Sequence, residues 1–233
     1  MQTHYDYIII GGGLSGLTLA YRMAQDAFFD TTSILIIDQS AKKENDRTWC
    51  FWESQPDIFE EIVSHRWSTI RFKSPVFSDD IAIKPYQYKK IEGDDFYAFA
   101  KAYVATKPHI SFLQETVLSV ENQSDQVVII TDKKRLSGGK VFNSILNSEV
   151  LSNQTQHQYL KQHFIGWFIK TKTPTFDPDA ATFMDFTVPQ KGNCRFMYVL
   201  PTSTTQALFE YTLFSKDLLE DTEYETAIET YLK

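Results

Sequence analysis

Apolar and polar positions give the two halves of the chain different textures. Tyr7 to Ile10 is a short apolar run that reads as a strand buried on both faces. It meets three glycines, Gly11 to Gly13, and Leu14 to Met23 then carries apolar residues at helical spacing. Ser33 to Ile37 is a second strand-like run. Trp67 to Tyr88 alternates loosely, broken by Pro75 and Pro85, and predicts two or three short antiparallel strands inserted into the first domain. Asp94 and Asp95 stand where they can cap a helix over 96–105, with Phe96, Phe99, Ala100, Tyr103 and Val104 on one face. Strands are predicted at 109–113, 116–120 and 126–131, the last two as a hairpin, then a glycine-ended turn over 132–139 and a strand over 140–146. Residues 149–158 are polar and read as a surface loop and domain boundary. Beyond them, 162–170, 182–187, 195–200 and 207–214 are aromatic strand-like runs forming a largely antiparallel sheet, followed by a helix over 221–233.

The opening stretch carries the first chemistry. Gly11, Gly13 and Gly16 satisfy G-x-G-x-x-G between a strand and a helix, and Asp38 ends the next strand 22 residues after Gly16. In a dinucleotide-binding start the first glycine allows the tight turn, and the second lets backbone approach a pyrophosphate. The third lets helix pack on strand, and the acid holds a ribose hydroxyl. The helix N-terminus adds free N–H groups and the positive end of its dipole. The competing reading is an ordinary tight turn with Asp38 capping a strand; the order of all five features favours the dinucleotide.

Composition narrows the class. Among 233 residues, 42% are hydrophobic and 15% aromatic, enough for a large core in one or two domains. A net charge of −7 argues against a nucleic-acid partner. The longest apolar stretch, 7–20, is interrupted by four glycines and too short to span a bilayer, and no signal peptide is expected ahead of the first strand. Cys50 and Cys194 form no CxxC, and the five histidines show no metal spacing, so no metal site is expected. The expected location is cytoplasmic, or peripheral on a membrane. Trp49, Phe51 and Trp52 form a dense aromatic cluster that is either a plug under a long loop or part of a site. A dinucleotide-binding half and an apolar-sheet half suggest a cofactor enzyme with an apolar substrate.

Several ordered blocks resemble the bacterial β-cyclase type of lycopene cyclase. They are DYIIIGGGLSGLTLAYRM, NDRTWCFWE at 45–53, QHFIGWFIKT at 162–171, FDPDAATFMDF at 176–186 and RFMYVLPTSTTQALFEYTLFS at 195–215. The first block is common to many flavoproteins; the later ones in this order are specific to the cyclases. The resemblance implies an α/β fold: a Rossmann-like FAD-binding (three-layer ββα) domain at 1–65 and 91–150, interleaved with a mainly antiparallel sheet substrate domain at 66–90 and 151–233. It further implies conversion of the open ψ-end of lycopene to a β-ionone ring without net redox change, with reduced FAD as cofactor and NAD(P)H as reductant. Lycopene and a membrane surface, its cytoplasmic face, are then the partners. Family chains continue to a second glycine-rich segment, so this chain is expected to be a fragment.

The family's essential acid maps onto Glu210. Some relatives carry an acidic pair there, whereas Tyr211 follows here. Without the resemblance, Glu210 reads first as the polar residue on an outward strand face, since exposed glutamate is the common case. Arg47 is a candidate for the flavin phosphates or ribityl chain, or else pairs with Asp46 or Glu44. Trp49, Phe51, Trp52 and Trp167 are candidates for holding a carbocation, at about 0.5–2 kcal/mol each through cation–π contact, or are plain core. Two rival readings remain: a redox flavoprotein of the same fold (hydroxylase or isoprenoid reductase), and an inactive piece with weak nucleotide affinity.

Overall fold

The computed structural model describes residues 3–145 and 157–233, and the chain forms two compact units. The first comprises Met1–Trp49 and Ile91–Asn147, the second Cys50–Lys90 and Ser148–Lys233. Residues 50–65 thus belong with the second unit rather than the first. Their strands β3 (Thr48–Glu53) and β4 (Val63–Trp67) flank β7 (Gln87–Glu92) in a three-stranded sheet. Most of the polar stretch expected to form the domain boundary lies outside the described residues.

In the first unit, β1 (His4–Ile10) is central. It pairs in parallel with β2 (Ile34–Asp38) on one side and β11 (Arg135–Asn143) on the other. β8 (Ile110–Gln114) adds to β2 in parallel, and β10 (Val127–Thr131) and β9 (Val117–Asn122) continue from β11 as an antiparallel meander. Ile8 and Ile10 join Leu35, Ile37, Ile129 and Leu136 in one cluster, while Ile9, pointing the other way, is also buried. This is why the run shows no alternation. The parallel β1–β2 pair needs a crossover, and α1 (Leu14–Gln25) provides it, with Leu17 and Ala20 buried. Tyr21 of α1 stacks on Phe99 of α2 (Gly93–Val104) at 5.1 Å between ring centroids. Asp94 and Asp95 lie inside the first turn of α2 rather than at its cap, which is Glu92.

The expected turn over 132–139 is mostly strand: β11 already begins at Arg135. Gly138 and Gly139 mark close approach to β1. A Cβ on Gly138 would lie 3.0 Å from Ile8, and one on Gly139 3.1 Å from the Asp6 carbonyl oxygen.

The second unit is built on a six-stranded sheet, order β12-β15-β14-β13-β5-β6. Its strands are β5 (Thr69–Ser74), β6 (Phe77–Ala82), β12 (Lys161–Lys170), β13 (Ala180–Asp185), β14 (Cys194–Ser203) and β15 (Gln206–Ser215). All neighbours are antiparallel except β13 and β5. Alternation assigns two faces. Ala207, Phe209, Tyr211 and Leu213 of β15 join Met197, Val199, Tyr224 and Ile228 in a core covered by α3 (Asp221–Tyr231). Leu208, Glu210, Thr212 and Phe214 point to the other face. There Leu208 and Leu200 pack with Trp67, Tyr88 and Ala181, and the buried Trp67 indole donates to the Pro201 carbonyl at 2.9 Å.

Candidate active site

The first unit contains a turn fitted to a dinucleotide. Gly11 has φ +100, and a Cβ there would lie 2.0 Å from Ser144 Oγ. A Cβ on Gly16 would lie 1.9 Å from the Gly11 carbonyl oxygen and 3.1 Å from Ile9 Cγ2, so helix and strand close on each other only through glycine. Gly13 differs from both. It is the N-cap of α1 with ordinary extended backbone, and a Cβ there would meet nothing within 4 Å. No side chain caps that helix end, which leaves its first N–H groups for an anion. Asp38 ends β2, where Oδ2 accepts from the Gly12 N–H at 2.6 Å and Oδ1 from the Ser40 N–H at 2.7 Å. Beside it lies a cavity of about 300 Å³ lined by Gly12, Ile36, Asp38, Lys101 and Gln114 among others. These residues fit the pyrophosphate and ribose of a flavin dinucleotide.

Arg47 is exposed, and its guanidinium makes no ion pair with any described residue. Its carbonyl accepts from the Gly93 N–H at 2.8 Å, which anchors the backbone beneath it. Asp46, the alternative partner, instead accepts from the Tyr97 hydroxyl at 2.9 Å. Burial and that carboxylate raise the Tyr97 phenol to about 12.

The second unit holds the candidate acid, Glu210. Glu210 is half-buried in the middle of β15, between Gly166 of β12 and Tyr198 of β14 in register. Its carboxyl makes no hydrogen bond or ion pair to any described residue, and burial alone raises its pKa above the carboxylate range. The Tyr198 phenol is raised by burial and then by the Glu210 charge. Tyr88 is raised as well, chiefly by burial. From Tyr198 an aromatic chain continues through Phe183 (5.6 Å) to Tyr88 (5.6 Å) and to Trp52, which lies 4.8 Å from Tyr88 and is 44% exposed. Thr212, two residues along the same face, has a buried hydroxyl with no partner among the described residues.

The four aromatic candidates separate. Trp52 belongs to the cluster that reaches Tyr198. Trp167 does not: it pairs with Phe209 and projects with it to the α3 face, opposite Glu210. Trp49 packs edge-on against Phe96 and Tyr97 in the first unit, at 5.3 and 5.7 Å, and Phe51 packs on Phe59 at 6.5 Å. The loop reading of this cluster is also corrected, since Thr48–Glu53 is a strand and sends alternate rings to opposite sides. Tyr198, Tyr88, Gly166 and Thr212 were missed from sequence. The register of β12, β14 and β15 brings in Gly166, Tyr198 and Thr212, and packing of β7 against that sheet brings in Tyr88.

The glycine turn, the crossover helix and the paired sheets define an FAD-binding Rossmann-like flavoprotein fold. A flavin-dependent brominase is similar over 97% of this chain and 60% of its own (TM-score 0.67, 15% identity). The halogenase PltM, solved with phloroglucinol and FAD, is similar over 97% and 55% (TM-score 0.66, 10% identity). A geranylgeranyl bacteriochlorophyll reductase-like protein from Thermoplasma acidophilum is similar over 99% and 62% (TM-score 0.64, 14% identity). Within that class the chain belongs to the lycopene cyclase family, whose model, "Lycopene cyclase protein", matches residues 6–233. It is 25% identical to the lycopene beta-cyclase of Pantoea ananas over 96% of its own length, and spans 56% of that relative.

Proposed function

We propose that this chain supplies the flavin cradle and the acid of a lycopene β-cyclase, which closes the acyclic ψ-end of lycopene to a β-ionone ring. One observation carries the reading. Glu210 is a carboxyl group that makes no hydrogen bond or ion pair to any described residue, desolvated on an aromatic sheet face. Such a group stays protonated nearer neutrality than an exposed carboxylate and can give its proton to carbon.

The chemistry balances without an external oxidant. The Glu210 O–H proton adds to the less substituted carbon of the terminal alkene and leaves a tertiary cation. The π pair of the neighbouring alkene forms the ring bond, and the new ring cation loses a proton, so one proton enters and one departs. A carboxyl whose pKa is raised is a weaker acid toward carbon, so the barrier must also fall through stabilisation of the cation. Tyr198, Tyr88, Phe183 and Trp52 offer ring faces, and the apolar surface excludes water that would quench the cation to an alcohol. Gly13, the α1 N-terminus, Asp38 and Arg47 would hold FAD, which, reduced at the expense of NAD(P)H, would supply negative charge for stabilising a cation. A mechanism needing two adjacent carboxylates finds no second one here, since Tyr211 turns to the opposite face.

The C40 polyene resides in membrane, so the complete protein is proposed to work at a membrane surface, the cytoplasmic one. Among the described residues no helix is long and apolar enough to cross a bilayer. Sedimentation with lycopene-loaded vesicles tests this: protein left wholly in the supernatant contradicts it. Reaction of the complete protein with lycopene under reducing, anaerobic conditions tests the chemistry. Cyclic product without stoichiometric NAD(P)H consumption fits the cyclase; consumption matching turnover fits a redox flavoprotein instead.

A further inference from the structure

One flank of the Glu210 carboxyl is left bare by the chain. Gly166 stands opposite Glu210, so on the β12 side the acid meets a residue without a side chain. A Cβ at position 166 would lie 3.0 Å from Glu210 Cγ, 3.2 Å from Leu208 Cδ1 and 3.6 Å from Glu210 Oε1. The backbone does not call for glycine, because φ at 166 lies outside the left-handed region. A glycine inside a strand weakens it relative to alanine and marks places where a ligand or another backbone comes close. No backbone lies among the three nearest atoms at this position; they belong to the Glu210 and Leu208 side chains. Phe164 and Phe168, which share its face of β12, are 54% and 75% exposed, so the bare floor lies between two rings. With no hydrogen bond or ion pair to a described residue, the carboxyl takes its direction from packing alone.

We infer that Gly166 is a positioning residue for the proposed proton transfer. Its missing side chain sets the Glu210 conformer and leaves the carboxyl open on the flank where the terminal alkene of an acyclic isoprenoid end takes its proton. The inference rests on the reading of Glu210 as the acid. An added methyl presses Glu210 Cγ aside by a few tenths of an ångström, covers the flank beside Oε1 and further desolvates the carboxyl.

The test compares the complete protein with its Gly166→Ala and Glu210→Gln variants, using lycopene in vesicles and reduced FAD. Gly166→Ala is expected to lose at least tenfold in kcat while KM changes less than about threefold. The alkaline limb of its pH–rate profile should move upward, a shift that loss of folded protein alone would not produce. An inactive Glu210→Gln beside a Gly166→Ala with parental kcat, KM and pH profile overturns the inference and leaves the acid in place. A Glu210→Gln as active as the parent overturns the acid itself. If Gly166→Ala does not load flavin, Gly166→Ala/Leu208→Val relieves the contact with Leu208 and keeps that with Glu210. Assayed against Leu208→Val, it is decided by the same two outcomes.

Discussion

Gly13 and Gly16 sit three residues apart in one motif, yet their surroundings differ, and alanine at each separates the proposed binding role of the first from the packing role of the second. At Gly16 the new Cβ would lie 1.9 Å from a backbone oxygen and 3.1 Å from a core methyl. Neither neighbour is the free end of a flexible side chain, so α1 must move off β1. Overpacking of this kind costs about 1–3 kcal/mol, or about 2–12 °C in melting temperature for a chain of this size. At Gly13 the Cβ meets nothing and the backbone is already extended (φ −83, ψ −166). Alanine there loses a few tenths of a kcal/mol as an N-cap and regains a similar amount by restricting the unfolded chain. Stability should therefore stay within about 1 kcal/mol of the parent. On the proposed reading, the same Cβ would stand in the space that a pyrophosphate takes at the helix N–H groups. Losing one charge-assisted hydrogen bond, about 1.5–3 kcal/mol, weakens FAD about 10- to 100-fold. Melting of flavin-free complete protein, with FAD titration followed by flavin fluorescence, reads both quantities. Parental FAD affinity in Gly13→Ala, or a stability loss matching that of Gly16→Ala, would refute the assignment.

Three further outcomes follow from named contacts. Between the ordinary carboxylate pKa and the raised pKa of Glu210, the folded chain holds a proton that the unfolded chain has released, so stability falls as pH rises. Glu210→Gln should thus melt with the parent near pH 4 and above it near pH 8; equal melting at both values contradicts the desolvated acid. Burial pushes the Asp185 carboxyl up, but bonds from Thr187 and Tyr231 outweigh it and hold its pKa low. Tyr231→Phe removes the 2.7 Å bond to Oδ2 and should cost about 1–3 kcal/mol at pH 7, with the difference shrinking as pH falls through the depressed Asp185 pKa. A pH-independent difference would count against this. Arg47→Ala should weaken FAD binding without shifting the melting temperature of the flavin-free protein, and an unchanged FAD titration would remove Arg47 from the cradle.

The cofactor half was legible because its signals are local: strand, glycines, helix and acid follow within 38 residues, and each is decided by its neighbours in sequence. Gly138 and Gly139 misled for the converse reason. Their glycine character answers to β1, more than a hundred residues earlier, and sequence spacing cannot show that approach. The face of the second sheet was equally hidden. Alternation separates Glu210 from Tyr211 but cannot say whether Trp167 or Phe168 shares the acid's side, because that depends on the β12–β15 register. Nor can alternation distinguish a polar residue facing solvent from one desolvated among rings. Glu210 was singled out through family resemblance, and the geometry of Gly166, Tyr198 and Thr212 around it emerged only with the strands paired.

The measurement that bears most directly on the account is pigment chromatography of a lycopene-accumulating bacterial host. The host would carry the complete protein, its Glu210→Gln variant, or residues 1–233 alone. Cyclic carotenoid is expected from the complete protein, and lycopene only from a folded, flavin-loaded Glu210→Gln. Cyclic product from the variant, or unchanged lycopene beside a folded, flavin-loaded complete protein, would contradict it.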